Sequence, residues 1–242
     1  MGNCKTRGII TRRANYGESN CMLTVLSEQF GVISACVYGV RGKKSSLKAG
    51  SQFLCLADFV LDKKNSDIYR VDGIDIIDTF YPITEDIEKL SLANYLCELA
   101  SDAYIDRDKR VLSLLLNTLY TVAYRDTDIK NAKSVFELKL MQYAGYMPQT
   151  GRCAVCGGTE NLDGFDISAG TVCRACKSGA AHISQSARAA LEYILSADSK
   201  RAFSFSVSKQ TRDELSVLAE AYFIYHSERQ YKSLDYLKKI LV

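Results

Sequence analysis

Arg152 to Cys176 reads RCAVCGGTENLDGFDISAGTVCRAC, and the rest of the chain is read outward from it. Cys153 and Cys156 form one C-x-x-C, and Cys173 and Cys176 form another. Two such pairs at this separation have the spacing of a four-cysteine zinc site. Each pair can turn two thiolates toward one metal. Gly157 and Gly158 let the backbone bend directly after the first pair. Gly170, three residues ahead of the second pair, predicts a hairpin. Four sulfurs close a tetrahedral shell, so the expected metal is a structural zinc with no open position for chemistry.

Two other readings use the same residues, a pair of disulfides or a redox-active C-x-x-C. Cys4, Cys21, Cys36, Cys55 and Cys97 are scattered, mostly through apolar runs, and no secretory leader is read at the start. Both features suit a reducing cytoplasm, where disulfides are rare. A thioredoxin-like centre needs one C-x-x-C at a strand-to-helix junction rather than two matched pairs. His182 follows Cys176 closely enough to replace a cysteine, but four sulfurs already fill the shell.

Before the ribbon the hydrophobic period changes once. Over residues 1–80 it is that of strands. Gly8–Thr11, Cys21–Leu26, Val32–Tyr38, Phe53–Leu61 and Ile68–Ile77 are short runs rich in β-branched residues, the last interrupted at Gly73. Ser27–Gly31 reads as a hairpin turn. Five strands in this length predict a small barrel, and the OB-fold, which binds oligonucleotides, is the natural candidate. An SH3-like barrel fits the same count. Tyr81-Pro82 marks the boundary of a helical domain over 81–242. Leu92, Tyr95, Leu96, Leu99 and Ala103 share one helical face. Further helices are expected over 111–124 and 128–143, then 185–195 capped by Ser184, 209–226 and 233–241. Helices on both sides of the cysteines make the ribbon, residues 150–181, an insert. The fold class expected is therefore α+β: a five-stranded barrel, then an all-helical domain with an inserted Cys4 ribbon.

The 242 residues are 47% hydrophobic, enough for one large or two modest cores. No apolar run reaches the length of a membrane span. There is no P-loop, dinucleotide fingerprint or nucleophile elbow, so ATP-driven or hydrolytic chemistry has no visible machinery. Zinc deaminases place H-x-E before P-C-x-x-C. Here the only H-x-E, His226-Ser227-Glu228, follows the cysteines, and Arg152 rather than proline precedes Cys153. No enzyme is expected.

Charge is unevenly placed. Residues 1–48 carry eight Lys or Arg against two acids, whereas residues 49–128 carry eight against fifteen. A basic beginning predicts a face for a polyanion. Arg12-Arg13 closes the first predicted strand, and Arg41, Lys43, Lys44 and Lys48 follow the third. Strand ends can gather these onto one surface to neutralise phosphates. Tyr16 and Tyr38 could stack on bases. The competing reading of this face is a solvated basic surface over core tyrosines, on a protein-interaction adaptor that ignores DNA.

Barrel, helices, ribbon and helices, in that order, resemble the RecO family of bacterial recombination mediators. The likeness spans nearly the whole chain. It is carried by Tyr16-Gly17-Glu18-Ser19, Gly39-Val40-Arg41-Gly42, Gln52-Phe53, Tyr95-Leu96-Cys97-Glu98-Leu99, Phe136-Glu137-Leu138-Lys139-Leu140, Gly145-Tyr146-Met147-Pro148-Gln149 and Lys232-Ser233. The resemblance implies an OB-fold that binds single- and double-stranded DNA and anneals complementary strands. It also implies partnership with RecR and with the acidic tail of single-stranded DNA-binding protein, so that RecA loads on gapped DNA. A nucleoid-associated, cytoplasmic protein follows from that role. Tyr38 departs from the family, which often has a lysine before the glycine, so one phosphate contact is in doubt. Relatives can lack the cysteines, which suits a metal that braces the fold.

Overall fold

A computed structural model describes residues 3–40, 42, 46–63, 67–104 and 108–241. The chain divides into two compact units, residues 1–115 with 239–242, and residues 116–238.

The first unit is built on a closed barrel of strands β1 (Cys4–Tyr16), β2 (Asn20–Ser27), β3 (Gly31–Val37), β4 (Leu56–Asp62) and β5 (Ile68–Asp78), in the order β1-β2-β3-β5-β4. All neighbours are antiparallel except β3 and β5. This is the OB-fold topology. Alternation explains its core: Cys21, Leu23 and Val25 on β2 and Ala57, Phe59 and Leu61 on β4 all point inward. Val40 and the half-buried Leu47, from the long β3–β4 connection, also pack into this core.

Besides strand starts at Cys4 rather than Gly8 and at Leu56 rather than Phe53, two details of the barrel depart from the sequence reading. First, β1 does not stop at Arg13 but runs on to Tyr16, with a bulge between Ile10 and Arg12. Second, β5 is continuous through Gly73, where a register shift against Val60 and Leu61 of β4 replaces the expected break. Pro82 lies in the first turn of a short helix α1 (Tyr81–Thr84). Helix α2 (Ile87–Ala103) is capped by the Asp86 carboxylate, which accepts from the Glu88 and Lys89 amides. It lies against the barrel, where Ser101 Oγ donates to Thr11 Oγ1 at 3.0 Å and the buried Tyr104 hydroxyl, just past its end, donates to the Ser27 carbonyl at 3.1 Å.

Helix α3 (Lys109–Tyr124) leads into the second unit. There α4 (Ile129–Tyr143) is central: every residue from Ala132 to Met141 is buried. The ribbon, with strands β6 (Gly164–Asp166), β7 (Gly170–Val172) and β8 (Ala181–His182) in the order β7-β6-β8, separates α4 from α5 (Gln185–Ser196). Helices α6 (Lys209–Ser227) and α7 (Lys232–Ile240) follow. Ser184 caps α5 as expected, its hydroxyl accepting from the Ala187 amide.

Charges inside this unit were not anticipated. Lys133 on α4 is buried and bonds Glu137 at 3.1 Å and Glu220 of α6 at 2.9 Å. Lys238 holds Glu220 from its other side. Burial pulls the Lys133 pKa down, but the two carboxylates outweigh it and the net shift is upward. Lys139, also buried, donates to the Leu195 and Ala197 carbonyls, an ammonium capping the C-terminal end of α5. Burial holds Lys139 below its ordinary value.

Candidate metal centre and nucleic-acid interface

The ribbon brings Cys153, Cys156, Cys173 and Cys176 together, with every sulfur within 4.8 Å of the others. A tetrahedral metal with metal–sulfur bonds of about 2.3 Å requires sulfurs roughly 3.8 Å apart. Cys156 Sγ and Cys173 Sγ stand 3.8 Å apart. The four-thiol set thus fits one metal.

Local sequence explains the geometry. Past the first pair, Gly157 takes a left-handed φ of 76°, and its amide donates to the Cys153 carbonyl. The second pair rides on a 3-10 turn over Arg174–Cys176. The predicted hairpin is β6–β7. Gly170 turns it with φ 108°, and any side chain there would collide with the Gln149 backbone. That close approach pairs Gln149 with Gly170, and Thr171 Oγ1 then donates to the Thr150 and Arg152 carbonyls just ahead of Cys153. Leu162, Val172 and the buried Cys153 and Cys173 form a small core of their own.

Hydrogen bonds from the backbone at Cys156 and Cys173 bring the Cys153 thiol down to about 6. Sharing hydrogen bonds with Cys173 and Cys156 pushes the Cys176 thiol up to about 12. The Cys153 sulfur is therefore ready to ionise, and a cation is what allows Cys176 to follow. His182 is not part of the cluster; its Nδ1 lies 3.1 Å from the Asp163 carbonyl.

The basic residues of the barrel are not all brought together. Arg41, Lys43 and Lys44 lie outside the described residues. Arg12 and Arg13, neighbours in sequence, are parted by the strand. Arg13 pairs across the barrel wall with the buried Leu23, while Arg12 pairs with Thr24. Arg13 therefore turns inward, half-buried, its guanidinium beside the Cys21 thiol. Arg12 turns outward and lines a cavity with Thr24, Glu98 and Asp102. Lys48 is exposed in the turn before β4, where its carbonyl accepts from Ser51 and Gln52.

At the end of β1 and β2 the long β3–β4 connection begins, pinned by Gly39, whose amide donates to Asn20 Oδ1 at 3.0 Å. Arg13 and the start of the basic loop thus share one end of the barrel. Tyr16 and Tyr38 are both exposed there, at 54% and 58%.

An OB-fold barrel followed by helices that enclose a four-cysteine ribbon defines the architectural class. Two family models match in sequence order, Recombination protein O N terminal over residues 1–80 and Recombination protein O C terminal over residues 84–235. Similar proteins are named DNA repair protein RecO. That of Acetivibrio thermocellus is 35% identical over 99% of this chain and 98% of its own length. Those of Alkaliphilus metalliredigens and Caldicellulosiruptor saccharolyticus are 31% and 30% identical over 98% of this chain, and over 99% and 98% of their own lengths. The chain belongs to the RecO family of DNA repair proteins. Among the described residues no helix is long and apolar enough to cross a membrane.

Proposed function

We propose that the chain is a recombination mediator that works by binding DNA rather than by covalent chemistry. The observation that carries this is a closed OB barrel in a chain that matches a DNA repair family over nearly its full length. The grip on phosphates centres on Lys48 and the loop residues Arg41, Lys43 and Lys44, with the half-buried Arg13 behind them. Arg12, in a cavity with Glu98 and Asp102, is its weakest member. These cations displace counterions from the strand, so affinity falls steeply with salt. Screening the charge of two bound strands lowers their repulsion and lets complementary bases pair.

The family resemblance supplies the partners. Single- and double-stranded DNA are the ligands. RecR and the acidic tail of single-stranded DNA-binding protein are the proteins docked, and RecA is loaded as the result. The working place is the bacterial cytoplasm, at the nucleoid. Zinc is the metal that best suits four thiolates in a closed shell. The residues to hold it are Cys153, Cys156, Cys173 and Cys176, and its contribution is folding free energy.

Reversing Arg41, Lys43 and Lys44 to Glu tests the reading. Single-stranded DNA affinity should fall at least a hundredfold and lose most of its salt dependence. Unchanged affinity in that triple variant refutes the interface.

A further inference from the structure

The outer face of the barrel carries a groove that the basic residues do not explain. Its floor follows from strand register. Met22 of β2 stands opposite Cys36 of β3, and Cys36 opposite Arg70 of β5, so these three side chains share the outward face. Tyr16, at the end of β1, and Tyr38, just past β3, stand at the rim of the same cavity of about 520 Å³. Cavities of roughly 300–1,000 Å³ suit small organic groups. Two large exposed rings beside an open apolar floor are costly to leave in water unless something covers them.

The polar groups decide what that is. Arg70 is already bound. Its Nε donates to Asp72 Oδ1 at 2.8 Å, and its Nη2 lies 3.3 Å from Asp62 Oδ2. Two carboxylates on one guanidinium leave no surplus positive charge for a phosphate. They also fix the guanidinium plane, which can then stack rather than reach. The Tyr38 hydroxyl faces Cys36, Tyr16 and Arg70, whose combined influence, led by Cys36, raises its pKa. The ring is thus neutral at physiological pH and repels nothing.

We infer that this groove, framed by Tyr16, Met22, Cys36, Tyr38 and Arg70, takes an unpaired nucleobase of single-stranded DNA. The inference rests on the DNA-binding reading and deepens it, because it divides the work on the barrel. Phosphates go to the basic loop, and a splayed base goes to the tyrosines. Bases inside a duplex are stacked and paired, so they cannot enter. The groove therefore adds affinity for single strands alone, and does so for any base, since each has an aromatic face.

The test separates bases from phosphates. Binding of labelled oligothymidylate, an abasic strand of equal length and phosphate count, and a blunt duplex is measured for the wild-type chain and for Tyr16→Ala/Tyr38→Ala. The wild-type chain should prefer oligothymidylate to the abasic strand by tenfold or more. The double variant should lose that preference, roughly tenfold for each ring removed, with abasic-strand and duplex affinity unchanged. Tyr16→Phe/Tyr38→Phe should bind as the wild type does, because stacking needs the ring and not the hydroxyl. A double alanine variant that still favours bases overturns the groove, as does one that loses all three ligands equally. A wild-type chain that binds the abasic strand as well as oligothymidylate overturns the groove and leaves the phosphate grip standing. A wild-type chain that binds none of the three removes the DNA-binding reading itself.

Discussion

The barrel and the helical unit solve the problem of a stable interior in opposite ways. The barrel core is a hydrophobic cluster with the half-buried Arg13 turned in beside Cys21, and ion pairs such as Arg7 with Asp58 sit half-exposed on the outer wall. The helical unit places Lys133, Glu137 and Lys139 inside, on its central helix, and adds a ribbon whose largest common feature is four thiols. An apolar core is held by area and tolerates small changes. A core built on buried charge and four clustered thiols is held by a few specific bonds, and losing one partner strands the other. The barrel should therefore degrade gradually under mutation, and the helical unit abruptly.

The largest expected effect is at the metal. A structural zinc contributes on the order of 10 kcal/mol to local folding, more than so small a ribbon can gain from apolar burial. Cys153→Ser or chelation should lower stability and soluble yield, with the helical circular dichroism signal lost first and the barrel's DNA contacts chemically intact. A Cys153→Ser chain that folds normally yet loses all activity would point to a catalytic metal and end the comparison.

Next comes the buried ion cluster. Lys133→Met leaves Glu137 in the interior without this cation and Glu220 with Lys238 alone, and should cost about 3–5 kcal/mol, read as a fall in denaturant midpoint. A loss below about 1 kcal/mol would mean the cluster is not the specific brace described. The same cluster sets a pH dependence. Burial pushes the Glu220 carboxyl up, but Lys133 and Lys238 overcome it and the net shift is downward. A depressed carboxyl contributes stability above its ordinary value of 4.5 and loses it as pH falls through the lower folded value. Melting from pH 7 into acid should therefore be steeper for the wild type than for Glu220→Gln.

The smallest effect is at the α5 cap. Ser184 Oγ accepts from the Ala187 amide and donates to Glu214 at 2.7 Å. Ser184→Ala should cost about 1–2 kcal/mol, measurable by thermal melting without loss of the metal.

How much of this was legible in the sequence follows the same divide. Short runs rich in β-branched residues, Cys21–Leu26 among them, marked the barrel strands, and matched C-x-x-C pairs marked the four-cysteine cluster, because local composition and spacing carry both. The fate of Arg12 and Arg13 was not legible. Ile10 faces the core, so simple alternation would send Arg12 inward; the bulge between them reverses the parity and sends Arg13 in instead. The burial of Lys133 and Lys139 was hidden for another reason. Charged residues on a helix are read as its solvated face, and their partners Glu220 and Leu195 are far along the chain. The groove was half-visible: Tyr16 and Tyr38 stood out as ring residues, but Met22, Cys36 and Arg70 join them only through cross-strand register.

A barrel that holds DNA by its phosphates is the claim on which the rest depends, and a salt titration meets it most directly. Single-stranded DNA affinity of the intact chain should be measured at about 50 mM and about 200 mM salt, a range over which six to ten phosphate contacts on duplex DNA lose about 10³–10⁵-fold. The smaller basic set here, on a single strand with its shallower slope, predicts a drop of roughly a hundredfold. No binding at the lower salt, or binding that ignores salt, would contradict the account.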